Sequence, residues 1–196
     1  MDTGWREMKR SEINDLIRSA KACWDEHGWT LPPEPQWDVT DFGLGDWQKF
    51  GLVLVNLANE PEYCEKLMYV QRGMVTPPHT HIKKKEDIIC RWGTMTIDLW
   101  SGAPESEPTE AVSVKVNGKS TSIPSGSRIQ LRAGERVTLL PGTYHQFEGT
   151  SDECIIGEVS TANDDVHDNF FSNPEIGRFS EIIEDEPPIE RLVNEQ

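Results

Sequence analysis

Apolar positions recur with a helical period in the first part of the chain. Between Glu7 and Trp24 the apolar residues fall three and four positions apart, at Ile13, Leu16, Ile17, Ala20 and Trp24, with charged residues between them. This spacing predicts an amphipathic helix, and Gly28 suits the left-handed residue that follows a last helical turn. The prolines of residues 31–35 exclude regular structure, and we expect an irregular connection over residues 37–47.

From residue 51 onward the pattern changes to short apolar or alternating runs bounded by turn residues, which is typical of β-strands. Residues 112–116 are followed by Asn117 and Gly118, a dipeptide that favours a type I′ turn between antiparallel strands. A second hairpin is expected at residues 91–93. About eight to ten such strands predict an all-β domain built as one antiparallel barrel or sandwich.

The length of the chain limits its domain organisation. With 196 residues and 22.2 kDa, it is long enough for one domain with a hydrophobic core but short for two. We divide it into a helical extension at residues 1–36 that packs on the barrel, a barrel at residues 37–173, and a C-terminal extension at residues 174–196. The last segment is acidic and interrupted by prolines, which indicates a solvated or partner-contacting tail.

The charge and the apolar content of the chain limit the classes of partner that it can bind. The 34 acidic residues against 19 Lys and Arg give a formal charge of −15, so no nucleic-acid partner is expected. No apolar run approaches the roughly 20 residues that cross a bilayer, and the N-terminus lacks a signal-peptide pattern. The four cysteines are too widely spaced to indicate a disulfide framework or a zinc ribbon. We therefore expect a cytoplasmic protein with no membrane partner, and a homodimer formed through the N-terminal helix or the edge strands.

The candidate chemistry is concentrated in residues 73–93. His79 and His81 are two positions apart, so in an extended segment both imidazoles point to the same side. Glu86 needs only a short turn to bring a carboxylate to the same point. This combination of side chains is typical of a metal site.

A third imidazole comes from the later part of the chain. Pro141 and Gly142 predict a tight turn that directs His145 back across the barrel. The expected metal ligands are therefore His79, His81, Glu86 and His145. Three nitrogen donors and one carboxylate leave positions open on a six-coordinate divalent metal for substrate or water. His27 and His167 fit no such pattern.

These positions resemble the two cupin motifs. The first motif, G-x5-H-x-H-x4-E-x6-G, is matched by Gly73, His79, His81, Glu86 and Gly93. The core of the second is matched by Pro141, Gly142 and His145. That second motif has one extra residue after Gly134, and Gly149 stands where asparagine is expected. The resemblance implies a cupin fold, a double-stranded β-helix or jelly-roll barrel, which by itself defines no activity.

Longer stretches resemble the bacterial D-lyxose isomerase family of cupins. They are WDVTDFGLGDW at residues 37–47, PPHTH at 77–81, EDII at 86–89 followed by Arg91, and GEVSTANDDVHDNFF at 157–171. The resemblance covers most of residues 30–180 and departs at Cys90 and Trp92, where the family has asparagine and glycine. It implies a metal-dependent aldose–ketose isomerase that uses Mn²⁺ and interconverts D-lyxose and D-xylulose, and also D-mannose and D-fructose.

The implied reaction moves hydrogen between C1 and C2 of an open-chain sugar while a metal chelates the two oxygens and a carboxylate carries the proton. In CIIGEVS, Glu158 is the charged residue of an apolar strand, so we expect it to face the barrel interior and act as the catalytic base. Asp168 is a candidate for the second proton transfer. Asp164 and Asp165 are interpreted as turn residues.

Basic residues near the ligands are candidate sugar contacts. The lysine run at residues 83–85 lies between two metal ligands, and by analogy with the family we choose Lys84 as a catalytic and substrate-binding residue, with Lys83 as an equal alternative. Arg91 either orients the substrate or pairs with Asp87. Together with Arg91 and Lys84, the expected substrate-binding set contains Glu158 and Asp168.

Two other functions share the ligand set. An iron(II)-dependent cupin dioxygenase would have an apolar pocket for an aromatic or thiol substrate, whereas a sugar requires a polar pocket with carboxylates. A non-enzymatic sugar- or metal-binding cupin would need no internal base. The pocket lining distinguishes the isomerase from the first alternative, and Glu158 distinguishes it from the second.

Overall fold

A computed structural model of the chain describes residues 7–106, 110–161, 163–164, 167–176 and 181–195. Of the candidate residues, Asp165 lies outside these ranges. Within them no helix is long and apolar enough to cross a membrane, and all four cysteines are buried and free.

The secondary structure is mostly β. The elements in chain order are β1 Met8–Lys9, α1 Arg10–Glu26, β2 Gln36–Thr40, β3 Leu52–Asn59, β4 Tyr63–Gln71, β5 His79–Thr80, β6 Glu86–Trp92, β7 Thr94–Trp100, β8 Val112–Val116, β9 Lys119–Ile123, β10 Ser127–Arg132, β11 Arg136–Leu139, β12 Tyr144–Gly149, β13 Glu153–Thr161, β14 Phe170–Phe171, β15 Ile182–Ile183 and the 3-10 helix Val193–Glu195.

Two antiparallel sheets carry the pocket and most of the core. In the described part of the chain, one sheet has the strand order β2-β3-β4-β13-β6-β11-β8-β9 and the other the order β10-β7-β12-β5-β14. From β4 onward the chain passes repeatedly from one sheet to the other, as in a jelly roll. The predicted all-β class with an N-terminal helix is confirmed.

The N-terminal helix packs on the edge of the larger sheet. Its apolar stripe is buried, and the Trp24 ring stacks on Trp37 of β2 with 5.5 Å between ring centroids. Gly28 has a φ of +77°, which confirms the left-handed residue expected at the end of this helix. Because α1 lies against β2, it supports the strand from outside the barrel.

Two local expectations were wrong. Residues 36–40 form β2 instead of an irregular connection. The strand was not predicted because its alternating pattern is short and is followed at once by glycines and acidic residues. Residues 91–93 form no hairpin, since β6 and β7 belong to different sheets. Gly93, with a φ of +77°, turns the chain between them, and a Cβ there would lie 2.6 Å from the carbonyl oxygen of Glu153. The hairpin at Asn117 and Gly118 is confirmed, joining β8 to β9.

Residues 181–195 of the C-terminal extension contact α1. Arg10 is 1% exposed and forms ion pairs with Glu184, at 2.6 Å, and with Glu195. Asn14 donates a hydrogen bond to the carbonyl oxygen of Pro187 at 3.0 Å. The acidic residues of the tail therefore neutralise a buried guanidinium, which explains why this segment is not simply solvated.

Candidate active site

Three histidines converge inside the barrel. His79 lies on β5, His81 follows that strand, and His145 is the register partner of His79 on β12. All three are buried, and their ligand atoms lie within 4.8 Å of one another. The two-residue spacing and the later turn thus bring the imidazoles together.

Backbone carbonyls fix the orientation of each imidazole. Nδ1 of His79 lies 2.8 Å from the carbonyl oxygen of Pro77, and Nδ1 of His145 lies 3.2 Å from that of Thr143. Nδ1 of His81 contacts the carbonyl oxygen of Asp168. Because a carbonyl oxygen only accepts, each Nδ1 must carry the hydrogen, which leaves the lone pair on Nε2.

The Nε2 lone pairs face a carboxylate. Oε1 of Glu86 lies 3.1 Å from Nε2 of His145 and 3.6 Å from Nε2 of His81. Burial, followed by the neighbouring imidazoles, holds the pKa of His79 well below its usual value. Burial also lowers the pKa of His145 to about 4, so this imidazole is neutral near pH 7.

Nitrogen atoms of the imidazoles and oxygen atoms of a carboxylate converge on the same space. Across the described residues, Nε2 of His81 and Nε2 of His145 have no hydrogen-bond partner. Buried polar atoms without a partner are costly, and a cation between them would satisfy every one. The residues present therefore fit a divalent metal ion with three nitrogen ligands and one oxygen ligand.

Lys84 joins this cluster to a second carboxylate. Its Nζ lies 3.0 Å from Oε2 of Glu86 and 2.9 Å from Oε1 of Glu158. Burial alone would raise the pKa of Glu86, but the Lys84 ammonium and the imidazoles outweigh it and keep that pKa below its usual range. Of the two lysines left open by the sequence, Lys84 lines the pocket and Lys83 is exposed.

Glu158 points into the barrel from β13, is 6% exposed and lines the pocket. The alternation of its strand predicts this orientation. Its proposed role as the base stays a prediction, with the geometry in its favour.

Asp168 is buried but makes contacts of a different kind. Its carboxylate accepts hydrogen bonds from the backbone N–H groups of Ile82, Lys83 and Lys84 at 2.8 to 3.1 Å. Its carbonyl oxygen contacts His81. It does not line the pocket, so these contacts favour a role in holding the loop that carries the ligands. The catalytic and substrate-binding roles expected from the sequence stay predictions.

Arg91 lies away from the pocket. Its guanidinium carbon is 5.6 Å from the ring centre of Trp29, and a Cβ at Gly157 would lie 2.8 Å from its Nε. Asp87, the alternative partner, lies 3.5 Å from Nε of Arg136. The substrate-binding role expected for Arg91 stays a prediction without support from its position.

The remaining polar candidates are at the surface. Asp164 accepts a hydrogen bond from the backbone N–H of His167 at 2.9 Å, and the His167 side chain is 76% exposed. These are turn contacts, as interpreted from the sequence. Trp92, one of the departures from the family pattern, is 46% exposed and stacks on His27 with 3.8 Å between ring centroids. It therefore lies outside the pocket.

Several pocket residues were missed by the sequence reasoning. The polar ones are Asp38 and Thr40 on β2, Lys66 on β4, Thr76 and Asn169. Asp38 and Lys66 are buried charges within apolar strands, which is the same signal that identified Glu158. Applied to every strand, it could have found both. The rest of the lining is apolar and includes Leu54 and Met68.

Comparison with known proteins places the chain among sugar isomerases. A family model described as D-lyxose isomerase matches residues 34–196. The D-lyxose/D-mannose isomerase of Escherichia coli O157:H7 is 34% identical over 223 residues, covering 96% of this chain and 98% of the relative. The D-lyxose ketol-isomerase of Cohnella laeviribosi is 31% identical over 189 residues, covering 92% and 96%.

Solved structures share the fold. The L-ribose isomerase of Cellulomonas parahominis with L-ribose has a TM-score of 0.67 at 20% identity and covers 91% of this chain and 100% of its own. The L-ribose isomerase mutant E204Q of Acinetobacter sp. DL28 with L-ribose has a TM-score of 0.69 at 18% identity, covering 92% and 100%. This likeness confirms the predicted barrel.

Proposed function

Because the chain belongs to the D-lyxose isomerase family, and is thereby a sugar aldose–ketose isomerase, we propose that it converts D-lyxose to D-xylulose and D-mannose to D-fructose. The choice of sugars is supported by relatives named D-lyxose/D-mannose isomerase. The observation that carries the proposed mechanism is the buried contact between Lys84 and Glu158 beside the histidine cluster.

The proposed cofactor is Mn²⁺, held by His79, His81, Glu86 and His145. The nitrogen and oxygen donors suit a divalent first-row metal, and the family resemblance favours manganese. When bound, such an ion supplies a Lewis acid that polarises the sugar carbonyl.

Glu158 is the proposed base that transfers the proton. Its carboxylate removes the proton from C2 of the open-chain aldose, which leaves an enediolate, and then delivers that proton to C1. The hydroxyl proton of O2 passes to O1, so that C2 becomes the carbonyl carbon of the ketose. The Lys84 ammonium forms an ion pair with the Glu158 carboxylate, 2.9 Å away. It also offers N–H donors where negative charge develops on the sugar oxygens.

The pocket wall formed by β2, β3 and β4, in the same sheet as Glu158, suits the rest of the sugar. Asp38 is 8% exposed and Thr40 is 6% exposed, and both face the pocket from β2. A carboxylate is a strong acceptor for hydroxyl groups, so we propose that Asp38 binds hydroxyls distant from C1. The apolar side chains of Leu54 and Met68 lie on the same wall and would contact the carbon chain.

The test is a sugar panel with metal reconstitution. Protein stripped of metal and reloaded with Mn²⁺ is incubated with D-lyxose and D-mannose, and ketose is measured. We expect ketose from both sugars, its loss in His79→Asn, and its retention in the control His167→Asn. No ketose from any aldose, with any divalent metal, would contradict the proposal, and oxygen uptake by the ferrous protein would indicate a dioxygenase instead.

Three broader expectations also stay proposals: the homodimer, the cytoplasmic location, and the division at residues 36 and 173. Binding of the described C-terminal residues to α1 supports treating both extensions as one layer on the barrel. Light scattering on the purified protein would test the dimer.

A further inference from the structure

Lys66 is a buried charge that neither the metal cluster nor the proposed proton transfer uses. It lies on β4 directly opposite Glu158 of β13, as its register partner, and is 5% exposed. Its Nζ lies 3.7 Å from Oε1 of Glu158 and 3.1 Å from Oδ1 of Asn163. A lysine is seldom buried to this extent unless its charge is paired. The residues that Lys66 contacts therefore indicate its role.

Two ammonium groups lie within 4 Å of the same carboxylate oxygen. Lys84 reaches Oε1 of Glu158 from the loop before β6, and Lys66 reaches it from β4. Lys84 also contacts Glu86, whereas Lys66 also contacts Asn163. Both ammonium groups therefore lie close to Oε1 of the Glu158 carboxylate.

Asn163 holds Lys66 in turn. This residue follows β13, in the segment that leads to Asp168, and Asp168 orients His81 and the N–H groups of residues 82–84. Lys66 therefore contacts both the proposed base and a residue that follows its strand.

We propose that Lys66 is a positioning residue that holds the Glu158 carboxylate in the orientation required for proton transfer, and that Asn163 holds Lys66. The inference rests on the proposed function. Proton transfer depends on placement, since a displacement of about 1 Å can cost about 100-fold in rate, and a carboxylate held from two sides does not have to be ordered during the reaction.

The test uses Lys66→Met, Lys66→Arg and Asn163→Ala, each loaded with Mn²⁺. Methionine keeps the unbranched shape but removes the charge, whereas arginine keeps the charge. We expect kcat on D-lyxose to fall about 100-fold in Lys66→Met, with KM and Mn²⁺ affinity within about threefold of wild type. Lys66→Arg should recover most of this loss, and Asn163→Ala should lower kcat by about three- to tenfold. The control Lys115→Met, an exposed lysine on β8, should match wild type.

Other roles of Lys66 give different results. A sugar ligand would raise KM and leave kcat unchanged, and a purely structural residue would lower the melting temperature while the folded protein kept its kcat. Either result overturns the inference, as does a full kcat in Asn163→Ala. If Lys66→Met does not fold, the kcat values of Lys66→Arg and Asn163→Ala still test the inference. Wild-type protein that isomerises no sugar overturns the proposed function and this inference together, whereas active wild type with an equally active Lys66→Met overturns this inference alone.

Discussion

The Nζ atom of Lys84 lies 2.9 Å from Oε1 of Glu158, and both side chains are buried although 74 positions separate them in the sequence. The same ammonium contacts Glu86 at 3.0 Å. One cation thus connects a candidate metal ligand with the proposed base.

Asp168→Asn should weaken metal binding more than it slows the reaction. The substitution removes the charge that receives the N–H groups of residues 82–84, so the loop carrying His81 is held less firmly. We expect the affinity for Mn²⁺, measured by calorimetry, to fall by about 10- to 100-fold, with kcat restored at saturating metal. The exposed Asp164→Asn is the control. A kcat that stays low at saturating Mn²⁺ would show that Asp168 takes part in the proton transfer.

Asp38→Asn should affect sugar binding. The amide keeps the shape of the side chain but loses the charge that strengthens hydrogen bonds from hydroxyl groups. Since a hydrogen bond to a charged group contributes about 1.5 to 3 kcal/mol, we expect KM for D-lyxose and D-mannose to rise about tenfold or more while kcat changes less than about threefold. Steady-state kinetics on both sugars tests this, with the exposed Asp46→Asn as control. Unchanged KM for both sugars would refute the assignment.

The metal-free protein should lose stability on acidification between pH 6.5 and 4. Burial lowers the pKa of His145 to about 4 in the folded state, whereas the unfolded imidazole titrates near 6.5. The unfolded chain therefore takes up the proton first as the pH falls. The stabilisation from neutral His145 is fully present above about pH 6.5 and disappears by about pH 4, a loss of about 3 kcal/mol.

Urea unfolding of the metal-free protein at several pH values measures this loss. In His145→Asn the free energy of unfolding should change less steeply with pH across this window than in wild type. The difference in slope should correspond to about one proton taken up on unfolding. Equal pH dependence in the two proteins would mean that His145 is not held neutral by the fold.

Arg10→Met should destabilise the protein without changing its kinetics. The guanidinium is 1% exposed, but its partners Glu184 and Glu195 are 55% and 28% exposed and can return to water. We expect the free energy of unfolding to fall by about 2 kcal/mol. The control Arg18→Met removes an exposed pair with Asp15 and should cost less than about 0.5 kcal/mol. Equal losses of unfolding free energy in the two variants would argue against a stabilising role for the ion pairs between Arg10 and the C-terminal residues Glu184 and Glu195.

The convergence of His79, His81 and His145 was predictable because local sequence patterns indicate it. His79 and His81 share a face through the two-residue period of extended chain, and Pro141 and Gly142 turn the chain just before His145. The orientation of Glu158 toward the pocket was predictable for a related reason, because Glu158 is a charge on an apolar strand. These signals depend on strand periodicity and turn residues, which a single sequence carries.

The other contacts depend on register between distant strands. Lys66 faces Glu158 only because β4 pairs with β13 in one particular register, and no local pattern specifies that pairing. Asp38 was missed because its strand is short and runs into glycines. The role expected for Arg91 stays a prediction without support, because Arg91 lies five positions after Glu86 on β6 and the two-residue period places it on the other face of the strand.

The turnover of D-lyxose by Glu158→Gln, compared with wild type at saturating Mn²⁺, tests the central claim most directly. The amide preserves size and hydrogen bonding but cannot accept the proton, so we predict D-xylulose formation by wild type and a kcat lower by about 1000-fold in the variant. Mn²⁺ affinity and KM should stay within about threefold. A variant that isomerises D-lyxose at the wild-type rate would contradict the account.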